Sequence, residues 1–300
     1  MESNTASADV TRHIRRTKAA IIATIAVIVL VLGVATYAWF TSNMAVNTNS
    51  VSVHSDDSRL VVEMGDAASN SWTSADEVAL SSNSPDELVL YPVSTFDLSG
   101  FAQCTHTDGD GNAAYFKQAE DGQVFYHGWT DLRASVTGAG ADKATGQVSL
   151  YLSDSLVPDG ADPELLRAAR VGLKLSRGGD VVKTCYFSLD DSAGSHRDEH
   201  PATRPSNLPG YSDGMVLGWQ NGSLACANDG VEDFRSYLMG ADDSATRPQN
   251  TLATLDQGAT YRLDVYYYIE GTDADSADYL YGDVGILHLG LFAVLDGQGA

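Results

Sequence analysis

The sequence is short of cysteine and of basic residues, and both shortages exclude classes of protein. It has three cysteines, Cys104, Cys185 and Cys226, and no CxxC pair, which excludes zinc ribbons and disulfide-dense scaffolds. Lys and Arg number 18 against 40 Asp and Glu, giving a net charge of -22. A body this acidic repels nucleic acid and anionic lipid, so we expect no nucleic-acid partner.

The three cysteines leave two interpretations open. Outside the cytoplasm they allow one disulfide and one free thiol, with three possible pairings. Among these we favour a bond between Cys185 and Cys226. Three isolated thiols, acting as small buried apolar groups, are an equal alternative.

Signatures of catalysis are also scarce. The chain has no G-x-S-x-G elbow, no phosphate-binding glycine loop and no dinucleotide fingerprint. Residues 196–200 read HRDEH and match the H-x-x-E-H zinc-protease pattern, but Pro201 follows at once and disfavours the helix that this pattern needs. We therefore predict a protein that is not an enzyme and has no cofactor, with a zinc-dependent hydrolase as the remote alternative.

One long hydrophobic run decides the compartment. Residues 19–40 form 22 consecutive uncharged residues, which as a helix would extend about 33 Å and span a bilayer. The basic residues on its N-terminal side are Arg12, Arg15, Arg16 and Lys18, and the next one is Arg59. This asymmetry predicts a cytoplasmic N-terminus at residues 1–18 and an extracytoplasmic domain at residues 41–300.

The end of that run carries a resemblance. Residues 33–40, GVATYAWF, resemble the G-x-x-T-[aromatic]-A-x-F ending of SipW-type signal peptides, found on the TasA/camelysin group of biofilm-fibre proteins. The resemblance implies cleavage between Ala38 and Trp39. An uncleaved anchor, with the aromatic residues at the membrane interface, is the alternative.

What the resemblance implies about function follows from the group. It implies an exported cell-surface structural protein that associates with copies of itself or with other matrix proteins. After cleavage, the freed residues 39–53 could add as a strand to a neighbouring subunit. An anchored extracellular binding module is the alternative function.

The exported part reads as short strands separated by polar turns. Residues 261–270 alternate apolar and polar side chains and predict a half-buried strand. Residues 284–295 are apolar on both faces and predict a central strand, in which Gly290 indicates a bulge or a close backbone approach. A short helix is predicted at 162–169, behind Asp162 as its cap and with Pro163 at its first position. The other predicted strands are 51–64 (broken at 54–58), 87–93, 123–136, 147–152 and 181–189, and long exposed loops are predicted at 190–214 and 228–249. Together these predict an all-β fold, an antiparallel β-sandwich or jelly-roll ectodomain behind one N-terminal transmembrane or signal helix.

Two further segments resemble the same group. Residues 269–273, IEGTD, are similar to its [aromatic]-[ILV]-E-G-x-D segment, although Tyr268 stands where the group often has Trp. Residues 169–173, ARVGL, resemble a looser A-x-R-V-x-L element.

Acidic and aromatic residues suggest two kinds of binding site. Asp108, Asp110 and Asn112 alternate in the run DGDGN, the oxygen spacing of a calcium loop; a solvated hairpin turn explains the run as well, and we favour the turn. The aspartates 273, 275 and 278 form a weaker candidate of the same kind. Trp72, Trp129 and Trp219, together with the tyrosines at 266 and 268, could form a sugar-binding platform, but core packing is the favoured interpretation.

Overall fold

The computed structural model describes residues 49–55, 59–74, 77–85, 88–107, 112–137, 146–189, 204–205, 208–212, 214–239, 247–273, 276 and 285–296. The chain divides into a unit from Met1 to Asn47 and a second unit from Thr48 to Ala300. All that follows concerns the second unit. The predicted membrane segment and the cleavage point at Ala38 and Trp39 lie outside the described residues.

Short strands make up most of the described residues, and one short α-helix and one 3-10 helix are present. The strands are β1 Ser50–Ser55, β2 Leu60–Asp66, β3 Ser71–Thr73, β4 Glu77–Ala79, β5 Ser81–Ser82, β6 Pro92–Ser94, β7 Ala102–Thr107, β8 Asn112–Gln118, β9 Tyr126–Val136, β10 Gln147–Leu152, β11 Ala169–Arg177, β12 Asp180–Ser188, β13 Arg204–Pro205, β14 Met215–Gln220, β15 Ser223–Asn228, β16 Val231–Glu232, β17 Ala253–Asp256, β18 Thr260–Glu270 and β19 His288–Leu295. The helix α1 spans Pro163–Leu166, and the 3-10 helix spans Phe234–Tyr237. Asp162 caps α1 as predicted, since its Oδ1 accepts the Glu164 N–H at 2.9 Å.

Two sheets pack around the main core, and β14 and β15 form a separate two-stranded sheet. Of the two around the core, the smaller has five strands in the order β17-β10-β19-β1-β4. The larger runs β13-β8-β7-β6-β18-β11-β12-β16, with β9 also paired to β18 and carrying β2 and β5. The core takes apolar side chains from both sheets, for example Leu132 and Val265 from the larger and Leu150 and Leu291 from the smaller. Full burial of each such side chain contributes about 1.5–3 kcal/mol. This arrangement confirms the all-β sandwich.

The pairing is not wholly antiparallel. The pairs β1–β19, β12–β16, β8–β13 and β6–β18 are parallel, so the sheets are mixed at four places. In the first of these, β1 lies between β19 and β4 in its own sheet. Residues 50–53 of the proposed donor segment are thus already paired within the chain.

Strand β19 matches its prediction as a central strand. It lies between β10 and β1, and nearly all of its side chains are buried. A Cβ at Gly290 would lie 2.3 Å from the Ser153 Oγ, so this glycine permits a close approach. The pairing with β1 runs through Gly290 without a register shift, and the pairing with β10 ends at the next residue, Leu291, so this glycine does not mark a bulge.

The prediction of a half-buried strand at 261–270 is only half right. Tyr261, Leu263, Val265, Tyr267 and Ile269 do face the main core. On the other face Asp264, Tyr266, Tyr268 and Glu270 are buried too, which leaves Thr260 and Arg262 as the exposed residues of β18. The second face is covered by chain segments that lie far away in the sequence.

The loop predictions need correction. Within 228–249, Val231–Glu232 forms β16, and Phe234 and Tyr237 are buried against the main core. These two apolar side chains are three residues apart, so the 3-10 helix places both of them against the core although the residues around them are polar. Within 190–214, residues 204–205 pair with β8, and 190–203 lie outside the described part of the chain.

Candidate functional site

The second face of β18 and the segments next to it carry several buried charged side chains of the described residues, among them Arg170, Asp264 and Glu270. Alternation along the strand places Arg262, Asp264, Tyr266, Tyr268 and Glu270 on this face, away from the main core. It has three zones: an ionic cluster at the C-terminal end, an aromatic cluster in the middle, and a half-exposed surface at the N-terminal end.

The ionic cluster, called here the Arg170 clamp, consists of Arg170, Asp229, Glu270 and Asp273. Arg170 lies on β11 opposite Tyr268 of β18, and its side chain is 5% exposed. Its Nη1 and Nη2 donate to the two carboxylate oxygens of Asp229 at 3.0 and 2.9 Å. The Glu270 Oε2 lies 3.6 Å from Nη1, and the Asp273 Oδ2 lies 3.9 Å from Nη2.

The charges in this clamp do not balance. Three carboxylates surround one guanidinium, and Glu270 is completely buried. Burial raises the pKa of Glu270 to about 7, although the charge of Arg170 opposes that shift. Burial also lowers the pKa of Arg170, but Glu270 and Asp229 reverse this, and the net direction is upward. Arg170 therefore stays charged, and Glu270 is the group that titrates near neutral pH.

The clamp joins three parts of the chain. Asp229 follows β15, Asp273 lies in the turn after β18, and that turn is held by Glu270, whose Oε1 accepts from the Thr272 N–H and Oγ1 at 3.1 and 2.9 Å. Beside the clamp is a polar cavity of about 20 Å³, lined by Arg170, Tyr211, Gly214, Met215, Asp229, Thr272 and Asp273. A space of this size holds a water molecule. The arrangement connects the β14–β15 hairpin to the C-terminal end of β18.

The middle zone is a second, smaller apolar core. The Phe101 and Phe125 rings stack at 3.9 Å, and Tyr268 meets Phe101 edge-on. Leu98 packs on Gly172, where a Cβ would come within 2.6 Å of the leucine side chain. Tyr266 and Tyr268 are buried here, so they belong to a core and not to a sugar-binding platform.

A local turn positions the cover over this core. The Thr95 Oγ1 accepts the Leu98 N–H at 3.1 Å, and the Asp97 Oδ1 accepts the Ser99 and Gly100 N–H groups at 2.9 and 3.1 Å. These side chains satisfy the backbone of a turn in which Leu98 takes a positive φ of 51°. The turn aims Leu98 at β11.

The N-terminal zone begins with a histidine held by two carboxylates. The His127 Nδ1 lies 2.8 Å from the Asp121 Oδ1, and its Nε2 lies 3.1 Å from the Asp264 Oδ1. The ring stacks on Tyr266 at 4.4 Å. Burial lowers the pKa of His127, but the two carboxylates more than reverse that effect and the net direction is upward. Both ring nitrogens donate when the imidazole is protonated, which stabilises the charged form.

Next to this histidine lies a surface that we call the Trp–Arg face: Trp72, Trp129, Arg133 and Arg262. The Arg133 guanidinium lies 4.4 Å from the Trp72 ring centroid, and the Arg262 guanidinium lies 4.9 Å from that of Trp129. Both indoles are partly exposed. The third tryptophan, Trp219, lies on a different element, the β14–β15 hairpin.

The structure tests little of the predicted calcium loop. Asp108 and Asp110 lie outside the described residues, and Asn112 is the first residue of β8. Strands β7 and β8 pair as antiparallel neighbours on either side of the loop, as a hairpin connection requires. In the second acidic loop Asp273 joins the Arg170 clamp, while residues 275 and 278 lie outside the described part.

The described residues contain no group of three or more His, Cys, Asp and Glu side chains able to hold a metal. The H-x-x-E-H run at 196–200 lies outside them. Cys185 is a buried free thiol and Cys226 a partly buried one, so the predicted bond between them is wrong. They lie in different sheets, Cys185 opposite Leu173 and Cys226 opposite Leu217.

Comparison with known proteins found no matching family model, curated protein or solved structure. The resemblance to the SipW-signal group therefore stays a prediction. Among the helices of the described residues, none is long and apolar enough to cross a membrane.

Sequence reasoning missed Asp229, His127 and Asp121. Asp229 stands in a segment that composition predicts to be an exposed loop, and no spacing in the sequence links His127 to Asp264, 137 residues away. The two family-like segments, in contrast, do meet in space: Arg170 comes from one, and Glu270 and Asp273 come from the other.

Proposed function

We propose that this chain is an exported cell-surface structural protein, a subunit of a biofilm-matrix or fibre assembly. The observation that carries the proposal is the 22-residue uncharged run at 19–40 with four basic residues on one flank. Such a segment directs the following chain across the cytoplasmic membrane. The signal-like residues before Ala38 and the β-rich domain that begins at Ser50 are consistent with a compact extracellular subunit.

N-terminal sequencing of the protein from its native host tests the location. A start at Trp39 on surface-released protein supports the secreted fibre subunit. A start at Met1 in the membrane fraction supports the anchored form instead. Unprocessed full-length protein in the cytosol contradicts both.

Self-association is tested separately with a deletion that spares β1. Removing residues 50–53 would destroy β1, so the deletion is limited to 41–48. A second variant replaces these residues by a Gly/Ser segment of equal length, which keeps the chain length and removes only the side chains. If this segment adds to a neighbouring subunit, the deletion and the replacement both abolish filaments seen by electron microscopy. Filaments that persist in both variants contradict a donor-strand role for these residues.

A membrane-anchored extracellular binding module is the second candidate. The Trp–Arg face favours it, because partly exposed Trp and Arg side chains are enriched at recognition surfaces. A single-pass orientation would place this face outside the cell whether or not the segment at 19–40 is removed.

A further inference from the structure

The Trp–Arg face presents two aromatic rings on one side of a sheet. Gly65 of β2 is opposite both Trp72 on β3 and Asp131 on β9, and Trp129 is two residues along β9 from Asp131. With strands about 4.8 Å apart and a rise of about 3.3 Å per residue, the two Trp Cα atoms are about 12 Å apart. The rings thus form two separate contact points on the same face of the sheet.

Both rings are held in place before any ligand arrives. The guanidinium on Trp72 belongs to Arg133, whose Nε and Nη2 donate to the Glu63 Oε2 at 2.9 and 2.6 Å. The guanidinium on Trp129 belongs to Arg262, whose Nε donates to the Asp264 Oδ1 at 3.0 Å. Side chains fixed in this way lose little freedom on binding, which favours affinity.

The charges of the face indicate what it binds. Each arginine is already paired with a carboxylate, so the face offers no uncompensated positive charge to an anionic ligand. The net charge of -22 on the chain further repels polyanions. What remains are ring surfaces and planar hydrogen-bonding groups, and these suit a ligand with C–H faces and neutral hydroxyl groups.

We propose that the Trp–Arg face binds a neutral polysaccharide. Sugar rings stack their C–H faces on the parts of the Trp72 and Trp129 rings that the guanidinium groups leave uncovered, and their hydroxyls hydrogen-bond to the ion pair beside each ring. This role goes beyond the structural function proposed above and does not depend on cleavage of the N-terminal segment.

Affinity electrophoresis of the full-length chain in neutral detergent tests this inference. The gels contain dextran, mixed-linkage β-glucan or galactomannan as neutral probes, and hyaluronan as the acidic one. We expect at least one neutral polysaccharide to retard the protein, and hyaluronan not to. The W72A/W129A double variant should bind roughly ten-fold or more weakly, the order expected when stacking rings are lost, while the control W219A should keep its affinity.

A second measurement does not depend on the folding of a variant. In the wild-type protein, oligosaccharides of the retarding polysaccharide should protect indole fluorescence from acrylamide quenching. The inference is wrong if no neutral probe retards the chain, if hyaluronan retards it equally, or if the double variant binds as the wild type does. Loss of self-association without any sugar binding would identify the face as a protein interface and overturn the inference.

Discussion

Replacing Arg170 by Met should destabilise the domain more than any change at an exposed arginine. Methionine keeps much of the side-chain length but removes the charge and both donors to Asp229. Truncating one partner of a buried ion pair costs about 3–5 kcal/mol, because the remaining charge is left uncompensated. Here three carboxylates remain, one of them completely buried, so we expect a loss in that range at pH 8.

The loss should depend on pH in a defined direction. Glu270 has a pKa of about 7 in the folded protein, so at pH 5.5 it is already mostly protonated and the charge of Arg170 stabilises it little. At pH 8 it is ionised in the wild type, and removing Arg170 leaves it without a counter-charge. The destabilisation by R170M should therefore be larger at pH 8 than at pH 5.5.

Urea unfolding of a fragment spanning residues 48–300, followed by tryptophan fluorescence, measures both effects. Arg167 provides the matched control: it is three residues away, its side chain is 50% exposed, and it pairs with Glu164 at the surface. R167M should cost less than about 1 kcal/mol. The double variant R170M/E270Q should be more stable at pH 8 than R170M, since a neutral amide replaces the stranded carboxylate.

Two outcomes would refute this reasoning. If R170M costs no more than R167M at pH 8, the clamp is not a buried, charge-coupled unit. If the cost of R170M is the same at both pH values, Glu270 is not the group that responds to Arg170.

Three further predictions concern the same groups and the thiols. Because burial raises the folded-state pKa of Glu270, its contribution to stability is full below pH 4.5 and is lost as the pH rises through about 7. The urea midpoint of E270Q should therefore change less with pH over that range than that of the wild type; an equal change in both proteins would contradict this role of Glu270. The pKa of His127 is also raised, so its contribution is full below pH 6.5 and is lost above that; H127N should remove this loss, and NMR titration of the wild-type imidazole should show a pKa above 6.5. In native protein a maleimide should modify Cys226 but not Cys185, which is buried and whose pKa burial raises to about 11; peptide mapping that finds the two linked would contradict the free thiols.

The strands that the sequence predicts well are those with a clear pattern. Residues 147–152 form β10 as predicted, and the alternation of residues 261–270 correctly assigns which side chains share a face of β18. Local periodicity fixes these features because each side chain's direction depends on its immediate backbone. The strand β11, which pairs along most of β18, also alternates, with Val171, Leu173 and Leu175 on one face. Residues 169–173 stand out in the sequence only for their resemblance, and this strand is not among the predicted ones.

The site itself could not be predicted for a different reason. The burial of Tyr266 and Tyr268 depends on cover from residues near Leu98 and Phe125, and no local pattern encodes that contact. The Arg170 clamp joins residues about one hundred positions apart through the register of β11 on β18. The resemblance singles out the two segments separately, but only the pairing of β11 with β18 shows that Arg170 of one segment contacts Glu270 and Asp273 of the other.

The parallel pairing of β1 with β19 has a mechanical consequence. Tension applied between residue 49 and residue 296 pulls the two strands along their length in opposite directions. The backbone hydrogen bonds across the six aligned residue pairs are then strained together in shear, instead of opening one after another as in a hairpin pulled from its end. In a domain held at the cell surface by the segment before β1, the β1–β19 hydrogen bonds would resist a force applied to the residues after β19.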